Sequence, residues 1–204
     1  MGFPYVSRRH ENGDGDLELP RRKNIRLQDY DYSQNGAYFI TVCTKGRHHL
    51  LGEIVGGGFH AAPGFHAAPS FHAAPSFHAA PSFHAAPTMK LSDIGVQVDN
   101  AIQYANTHYG GIEINKYVIM PNHIHLIVLL TGGHGSPPLP SVVGQIKSFA
   151  TMKWNEICGT QMQKLWQRSY HDHIIRNEED YLRIWKYIDE NPAKWTEDKY
   201  FAHT

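Results

Sequence analysis

Hydrophobic residues along the chain follow two spacings, and segments with these spacings alternate. Runs of β-branched and aromatic residues predict strands at residues 36–44, 111–121 and 123–130, and a further extended segment at residues 164–177. Apolar residues spaced three to four apart predict three helices, with N-caps at Ser92 or Asp93, at Ser141 and at Asn177. The order β-α-β-β-α-β-α contains the unit of a ferredoxin-like antiparallel sheet with helices packed on one face. We therefore expect an α+β fold.

The second and third predicted helices each have an apolar side. Val142, Ile146 and Phe149 are expected to face the core from the second helix. The apolar stripe of the third helix consists of Tyr181, Ile184, Trp185 and Ile188. Acidic residues fill the first turn of the third helix, and Pro192 ends it.

A perfect hexapeptide repeat separates the first predicted strand from the first helix. Five copies of FHAAP, each followed by Gly, Ser or Thr, occupy residues 59–88 after three glycines. Because proline at every sixth position prevents a continuous helix and weakens strand pairing, residues 56–88 are predicted to form a flexible surface loop. Residues 48–55 are expected to begin a hairpin arm that the loop interrupts and that resumes at TMKLS. The histidines of the repeat lack the fixed geometry of a metal site.

Length and composition fit one globular domain. The chain has 204 residues, of which 41% are hydrophobic, and this is enough for a sizeable core. We expect residues 1–20 to form an N-terminal arm that could be disordered, and residues 21–204 to form one domain interrupted by the loop. Two cysteines far apart fit a reducing compartment better than a disulfide scaffold. No apolar run approaches the ~20 residues that span a membrane, and no signal peptide is visible, so we expect an intracellular soluble protein.

Basic and acidic residues balance over the whole chain. Nineteen of each give a net charge of zero with histidine neutral, which leaves no global basic field to attract nucleic acid. A local basic cluster near the N-terminus consists of Arg21, Arg22, Lys23 and Arg26. Such a cluster is either a solvated arm or a phosphate-contacting arm, and the charges alone favour the solvated arm.

Two histidines interrupt a strongly apolar predicted strand. Side chains two residues apart on a strand point to the same face, so His123 and His125 project side by side. Ile124, Leu126 and Val128 then point the other way, into the core. The spacing allows both imidazoles to bind one metal ion, although a complete site needs a further ligand. It equally fits two edge histidines that only form hydrogen bonds, and both alternatives stay open from the spacing alone.

The third predicted helix places two polar side chains on one face. Tyr187 and Asn191 lie four residues apart, and Tyr187 lies beside the apolar stripe rather than at its centre. A tyrosine in such a place is usually an amphipathic packing residue, and an asparagine before proline usually ends a helix. The spacing alone assigns neither residue a function.

Four segments resemble a family of DNA-processing enzymes. PNHIHLIV is similar to the metal-binding motif of HUH nucleases, in which two histidines flank a bulky apolar residue. YIDENP resembles the nucleophile segment of single-tyrosine HUH transposases, the IS200-like family. RRKNIRLQDYDYSQNGAYFIT and LWQRSYHDHIIRNEEDYLRIWKYIDENPAKW are similar to the REP-associated tyrosine transposases, which are bacterial proteins linked to repetitive extragenic palindromes. The resemblance extends from about Arg21 to Trp195, apart from the repeat.

The resemblance implies a metal-dependent single-stranded DNA endonuclease and strand transferase that acts at hairpins. It assigns His123 and His125 as metal ligands and Tyr187 as the nucleophile that forms a 5′-phosphotyrosine. It assigns Asn191 as the polar third ligand, where relatives often carry glutamine. It implies Mg²⁺ or Mn²⁺ as the cofactor, whereas the ligand types alone also allow zinc and other first-row ions.

The resemblance also bears on partners and location. It implies single-stranded DNA with palindromic hairpins as the partner, a monomer or a homodimer, and a bacterial cytoplasmic protein associated with the nucleoid. The segment before the third helix interleaves cations with aromatic rings, which suits phosphate contact and base stacking, although an ordinary solvated edge strand would have the same composition. We expect DNA contacts from Arg168, Tyr170, His171, His173 and Arg176, and from the basic cluster of Arg21, Arg22, Lys23 and Arg26.

Two other functions are alternatives to an active transposase. One is a domesticated palindrome-binding protein with little or no turnover, and the other is a metal-dependent hydrolase without a covalent step. The first alternative would be favoured by loss of any residue of the histidine, tyrosine and asparagine set. The second would make Tyr187 dispensable. Because the set is intact, we expect the transposase.

Overall fold

The computed structural model describes residues 30–56, 86–132 and 137–201. The predicted N-terminal arm, the basic cluster of Arg21, Arg22, Lys23 and Arg26, and most of the repeat lie outside the described residues. The strands are β1 (Gly36–Cys43), β2 (Gly52–Val55), β3 (Thr88–Leu91), β4 (Ile112–Met120), β5 (His123–Leu130) and β6 (His171–Ile175). The α-helices are α1 (Asp93–His108), α2 (Leu139–Cys158) and α3 (Glu178–Glu190). No helix in the described ranges is long and apolar enough to cross a membrane.

Four strands form an antiparallel sheet in the order β4-β5-β1-β6. This is the strand order of a ferredoxin-like sheet, and the predicted α+β fold class is confirmed. Strands β2 and β3 form a separate hairpin in which Val55 pairs with Thr88. The predicted hairpin arm is therefore confirmed. Thr88 belongs to β3, so the predicted loop extended too far by that residue.

The sheet carries helices on both faces. The helices of the ferredoxin-like unit, α1 and α2, cover one face, where Ile124, Leu126 and Val128 of β5 lie in the main core. The third helix follows that unit and packs on the opposite face, where Ile184 and Ile188 cluster with the β5 residue Ile127. Because side chains alternate along β5, the two histidines of this strand point to the face that α3 covers.

Helix α2 begins earlier than predicted. Ser141 was expected as the N-cap, but the helix begins at Leu139 and Ser141 lies inside its first turn. Pro140 is compatible with this earlier start, because proline is tolerated in the first turn, where its missing N–H is not needed. The expectation that Phe149 faces the core is also wrong: its side chain is 37% exposed, and Ala150 is buried instead. The buried side runs through Val142, Ile146 and Ala150, with a four-residue spacing.

The turn between β4 and β5 is held on both sides by backbone hydrogen bonds. The Thr44 N–H donates to the carbonyl oxygen of Asn122 at 2.9 Å, and the Leu51 N–H donates to that of Pro121 at 3.0 Å. The Thr44 hydroxyl adds a second bond to the Asn122 carbonyl at 3.0 Å. The turn therefore has a fixed position immediately before the first histidine of β5.

Candidate active site

The two histidines of β5 are fully buried and converge on each other. His123 lies opposite Cys43 of β1, and His125 lies opposite Thr41. Neither histidine is exposed to solvent. Their Nε2 atoms lie 3.0 Å apart. The structure thus confirms that both side chains occupy one face of the strand.

Asn122 fixes the tautomer of His123. The Asn122 Nδ2 group donates to the carbonyl oxygens of Arg47, at 3.1 Å, and Tyr200, at 2.9 Å. Its Oδ1 atom is therefore an acceptor, and it lies 2.8 Å from His123 Nδ1. The proton of His123 must be on Nδ1, so its Nε2 atom presents a lone pair to the site.

His125 has a partner that can adapt to either tautomer. Its Nδ1 atom lies 2.8 Å from the Thr41 hydroxyl, which can donate or accept a hydrogen bond. Since His123 Nε2 carries a lone pair, the 3.0 Å contact between the rings requires that His125 Nε2 donates. If the Thr41 hydroxyl accepts the hydrogen bond instead of donating it, the proton of His125 lies on Nδ1. The Nε2 atom of His125 then presents a lone pair as well.

Burial keeps both imidazoles neutral. It lowers the pKa of His123 to about 4, with the charge of Asp198 acting in the opposite direction. Burial, followed by the neighbouring His123, also lowers the pKa of His125 well below its ordinary value. Neutral imidazole is the form that binds metal ions, so the pair can bind metal at neutral pH without first losing charge.

Helix α3 places Tyr187 beside this pair. Asn177 caps the helix by accepting a hydrogen bond from the Asp180 N–H. Tyr187 lies on the margin of the packed side, as predicted, and remains 36% exposed. Its hydroxyl lies 3.2 Å from His125 Nε2 and donates to Asp198 Oδ2 at 3.1 Å. Burial and then the negative charge of Asp198 raise the pKa of the phenol above its ordinary value.

Asn191, at the C-terminal end of α3, is also in the site. Its side chain is 2% exposed, and its Nδ2 group donates to Asp198 Oδ2 at 3.0 Å. Its Oδ1 atom is buried and has no hydrogen-bond partner among the described residues. A buried amide oxygen without a donor is costly, and a cation would satisfy it.

Asp198 is the site residue that sequence reasoning missed. It follows the 3-10 turn Trp195–Glu197, outside any regular element. Its Oδ2 atom accepts from Tyr187 and Asn191, and its Oδ1 atom accepts from the Tyr200 N–H at 2.6 Å. No periodic pattern distinguishes it from the other acidic residues near the C-terminus. Only the return of the chain over the sheet brings it to the histidines.

The ligand atoms present fit a small divalent cation. One atom each from His123, His125 and Asp198 lie within 4.8 Å of one another. Imidazole nitrogen and carboxylate oxygen are both ligand atoms for divalent first-row ions. The unsatisfied Oδ1 atom of Asn191 is a further candidate ligand atom, since the Nδ2 group of the same amide donates to Asp198.

The residues predicted to contact DNA fall in different places. His171 and His173 of β6 pair with Thr41 and Phe39 of β1, and they line a cavity of about 470 Å³ beside the histidine pair. Arg176 is exposed just after β6.

Two residues of that set lie away from the histidine pair. Arg168 lines a different cavity together with Lys147 and Trp166. Tyr170 is only 5% exposed and packs in the main core, which corrects the expectation that its ring stacks on bases.

A comparison with protein-family models decides the family. The model described as "Transposase IS200 like" matches residues 90–191, which is half of the chain. The chain belongs to the IS200-like transposase family. The resemblance inferred from the sequence motifs is therefore confirmed. The matched range contains His123, His125, Tyr187 and Asn191, but it ends before Asp198.

Two relatives and one solved structure are similar to this chain. The chain is 28% identical over 203 residues to an uncharacterized protein of Haemophilus influenzae, in an alignment that covers 90% of this chain and 95% of that protein. It is 34% identical over 82 residues to the REP-associated tyrosine transposase of Escherichia coli, which covers 40% of this chain and 45% of that protein. Its fold resembles the solved structure of a REP-associated tyrosine transposase bound to a REP hairpin, with a TM-score of 0.52 and 22% identity over 85% of this chain and 76% of the other.

Proposed function

We propose that this IS200-like transposase cleaves and rejoins single-stranded DNA beside hairpins through a covalent bond to Tyr187. The observation that carries the proposal is the convergence of three groups at one point. The Tyr187 hydroxyl lies 3.2 Å from His125 Nε2 and 3.1 Å from Asp198 Oδ2. A nucleophile within hydrogen-bond distance of a proton acceptor and a metal-ligand candidate is the arrangement that phosphoryl transfer requires.

In the cleavage step, the Tyr187 oxygen attacks the scissile phosphorus. An O–P bond forms to the phenol, and the bond from phosphorus to the 3′ oxygen of the preceding nucleotide breaks. The products are a 5′-phosphotyrosine and a strand with a free 3′-hydroxyl. Because the phosphotyrosine retains the energy of the phosphodiester, a 3′-hydroxyl of a second strand can reverse the step without ATP.

Asp198 is the candidate acceptor for the phenol proton. Its Oδ2 atom already accepts the hydrogen bond of the Tyr187 hydroxyl. Transfer along this bond would generate the phenolate as the oxygen attacks, and the same proton could return to the leaving 3′ oxygen. The raised pKa of Tyr187 keeps the phenol protonated in the free protein.

The residues that would hold a divalent cation, Mg²⁺ or Mn²⁺, are His123, His125 and Asp198, with the Asn191 amide beside them. When bound, such an ion supplies Lewis-acid polarisation of the scissile phosphate and a positive charge that opposes the raised pKa of Tyr187. Asn122 and Thr41 orient the two imidazoles toward that position.

The proposed partner is DNA with a palindromic hairpin, and the proposed setting is the bacterial nucleoid. The support is the family together with the similarity to a structure of a REP-associated tyrosine transposase bound to a REP hairpin. The site is formed by five residues of one chain: His123, His125, Tyr187, Asn191 and Asp198. We therefore propose that one chain carries a complete site.

An adduct assay tests the proposed function. The protein is incubated with end-labelled single-stranded DNA that contains a hairpin, with Mn²⁺, and is then analysed under denaturing conditions. Wild type is expected to give a labelled covalent adduct, and Tyr187→Phe and His123→Ala are expected to give none. Cleavage without an adduct would indicate a hydrolase, and binding without cleavage across varied hairpins would indicate a DNA-binding protein. Either result would overturn the proposal.

A further inference from the structure

The 3-10 turn Lys45–Arg47, which follows β1, has an unusual backbone. Gly46 has φ of 68°, which glycine adopts freely, but Arg47 has φ of 57°. A left-handed conformation in a non-glycine residue is uncommon and strained, so it persists only where the surroundings impose it. With this backbone conformation, the side chain of Arg47 reaches the C-terminal segment of the protein.

Arg47 and Lys199 both lie against one aromatic ring. The Arg47 guanidinium carbon is 5.4 Å from the centroid of the Tyr200 ring, and the Lys199 Nζ atom is 4.9 Å from it. The Tyr200 ring lies 4.7 Å from the His123 ring and is 5% exposed. Both exposed cations therefore lie beside a ring that itself packs against His123 of the buried pair.

Neither cation is neutralised within the described part of the chain. The carboxylates there form no salt bridge with Arg47 or Lys199, although Arg183 and Lys194 in the adjoining cavity pair with Asp180 and Glu190. Both side chains are exposed. Two exposed cations beside one ring, neither with a carboxylate partner there, attract an anion to this part of the surface.

The cavities that Arg47 and Lys199 line indicate which class of anion the two cations would bind. Arg47 and Lys199 line the cavity of about 470 Å³ together with His171 and His173. A second cavity, of about 530 Å³, shares the lining residues Phe39, His173 and Lys199 with this one, and Tyr187 lines the second cavity.

Phe39 supplies an aromatic surface at this junction. Its ring stacks on that of His125 at 5.1 Å and is partly exposed. The lining of the two cavities also includes Asp172, Glu190, Glu197 and Asp198, so the positive charge is local to Arg47 and Lys199. Cations beside an exposed aromatic ring are typical of sites for single-stranded nucleic acid.

We propose that Arg47 and Lys199 form a phosphate-binding subsite for the DNA strand that crosses the active site. The inference rests on the proposed function, because it assigns the path of the same substrate. The strand follows the two neighbouring cavities, with its backbone phosphates against the two cations and a base against Phe39. The cations act on DNA binding and not on the chemical step.

Salt-dependent binding isolates this subsite from catalysis. A fluorescent hairpin DNA with a single-stranded extension is titrated with protein in EDTA, and its anisotropy is measured at several salt concentrations. Arg47→Gly removes the cation but keeps a residue suited to the left-handed backbone, and Arg47→Lys keeps the charge. Lys199→Ala removes the second cation. Lys153→Ala is the matched control, because Lys153 is a lysine of α2 on the opposite face of the sheet.

Arg47→Gly and Lys199→Ala are each expected to weaken binding and to reduce the slope of log K against log salt by about 0.7, the value for one phosphate contact on a single strand. Arg47→Lys should retain most of the slope, and Lys153→Ala all of it. An unchanged slope in both Arg47→Gly and Lys199→Ala overturns the subsite, as does a wild type that does not bind this DNA. Since EDTA prevents metal-dependent cleavage, failure of the adduct assay would overturn the proposed function separately.

Discussion

Each buried imidazole of the site has a hydrogen-bond partner at its Nδ1 atom, and the two partners differ in how far they fix the position of the proton. His123 donates to Asn122, whose other two bonds go to backbone carbonyls and cannot be reversed. His125 contacts Thr41, whose hydroxyl can be reversed. The pair therefore combines one fixed and one adaptable tautomer. Only His125 must move its proton to Nδ1 for both rings to present lone pairs to a metal ion.

Asn122→Ala should lower the affinity for Mn²⁺ about 10- to 100-fold, as is usual when a partner that orients a metal ligand is lost. The physical reason is that His123 would no longer be held in the tautomer that presents Nε2. Isothermal titration calorimetry measures the affinity without DNA. Asn106→Ala is the control, since Asn106 accepts a hydrogen bond from the Ile114 N–H away from the site. Equal Mn²⁺ affinity in the folded Asn122→Ala protein and in wild type would contradict this role.

The lowered pKa of the pair makes the metal-free protein sensitive to acid. The folded-state pKa of His123 is about 4, compared with 6.5 for an unperturbed histidine. As the pH falls from about 6.5 to about 4, the unfolded chain binds protons that the folded protein does not. The free energy of unfolding should therefore decrease in this pH window. Urea unfolding in EDTA between about pH 7 and pH 4 measures this. The His123→Leu, His125→Leu double variant should lose stability less steeply in that window, and an identical slope would show that the histidines are not buried neutral.

At the scale of elements, the alternation of strand and helix patterns was sufficient to predict most of the fold. Strand β5 and helix α3 fall where the apolar spacing placed them, because both bury a regular face. The start of α2 could not be predicted from its apolar spacing, because the helix begins at Leu139 and Pro140, before the residues that carry that spacing. The apolar periodicity of α3 also does not show which side of the sheet the helix covers. That side depends on which face of β5 remains open after α1 and α2 have packed.

The repeat lies between the two strands of a hairpin that is complete without it. Replacement of residues 56–87 by a two-residue Asn-Gly turn should therefore preserve β2 and β3, because Val55 and Thr88 already pair. Each halving of loop length saves about 0.6 kcal/mol of closure entropy, so the variant should be more stable by about 2 kcal/mol. Chemical denaturation measures the stability, and the adduct assay should give wild-type yields. A loss of adduct in a stably folded variant would show that the repeat takes part in the reaction.

At the scale of the molecule, the site forms where three distant segments meet. The histidines lie on β5, Tyr187 and Asn191 on α3, and Asp198 on the C-terminal segment. The histidines, Tyr187 and Asn191 could be predicted because they occupy regular elements with recognisable motifs. Asp198 could not be predicted, because its position depends on aromatic packing of the C-terminal segment over the site.

A site complete in one chain makes a specific prediction about mixtures. His123→Ala and Tyr187→Phe are each expected to be inactive in the adduct assay. If all residues of the site act within one chain, a mixture of the two variants should also be inactive, because no chain has both halves. Recovery of adduct in the mixture, at up to about a quarter of the wild-type yield for random pairing, would show instead that the tyrosine of one chain serves the histidines of another.

The central claim is that Tyr187 becomes covalently bound to DNA. The most direct measurement is proteolysis of the wild-type adduct formed with Mn²⁺ and hairpin DNA, followed by nuclease digestion and mass spectrometry of the modified peptide. The account predicts a nucleotide linked through its 5′ phosphate to Tyr187. A modification on any other residue, such as Tyr181 or Tyr200, or a 3′ linkage, would contradict it.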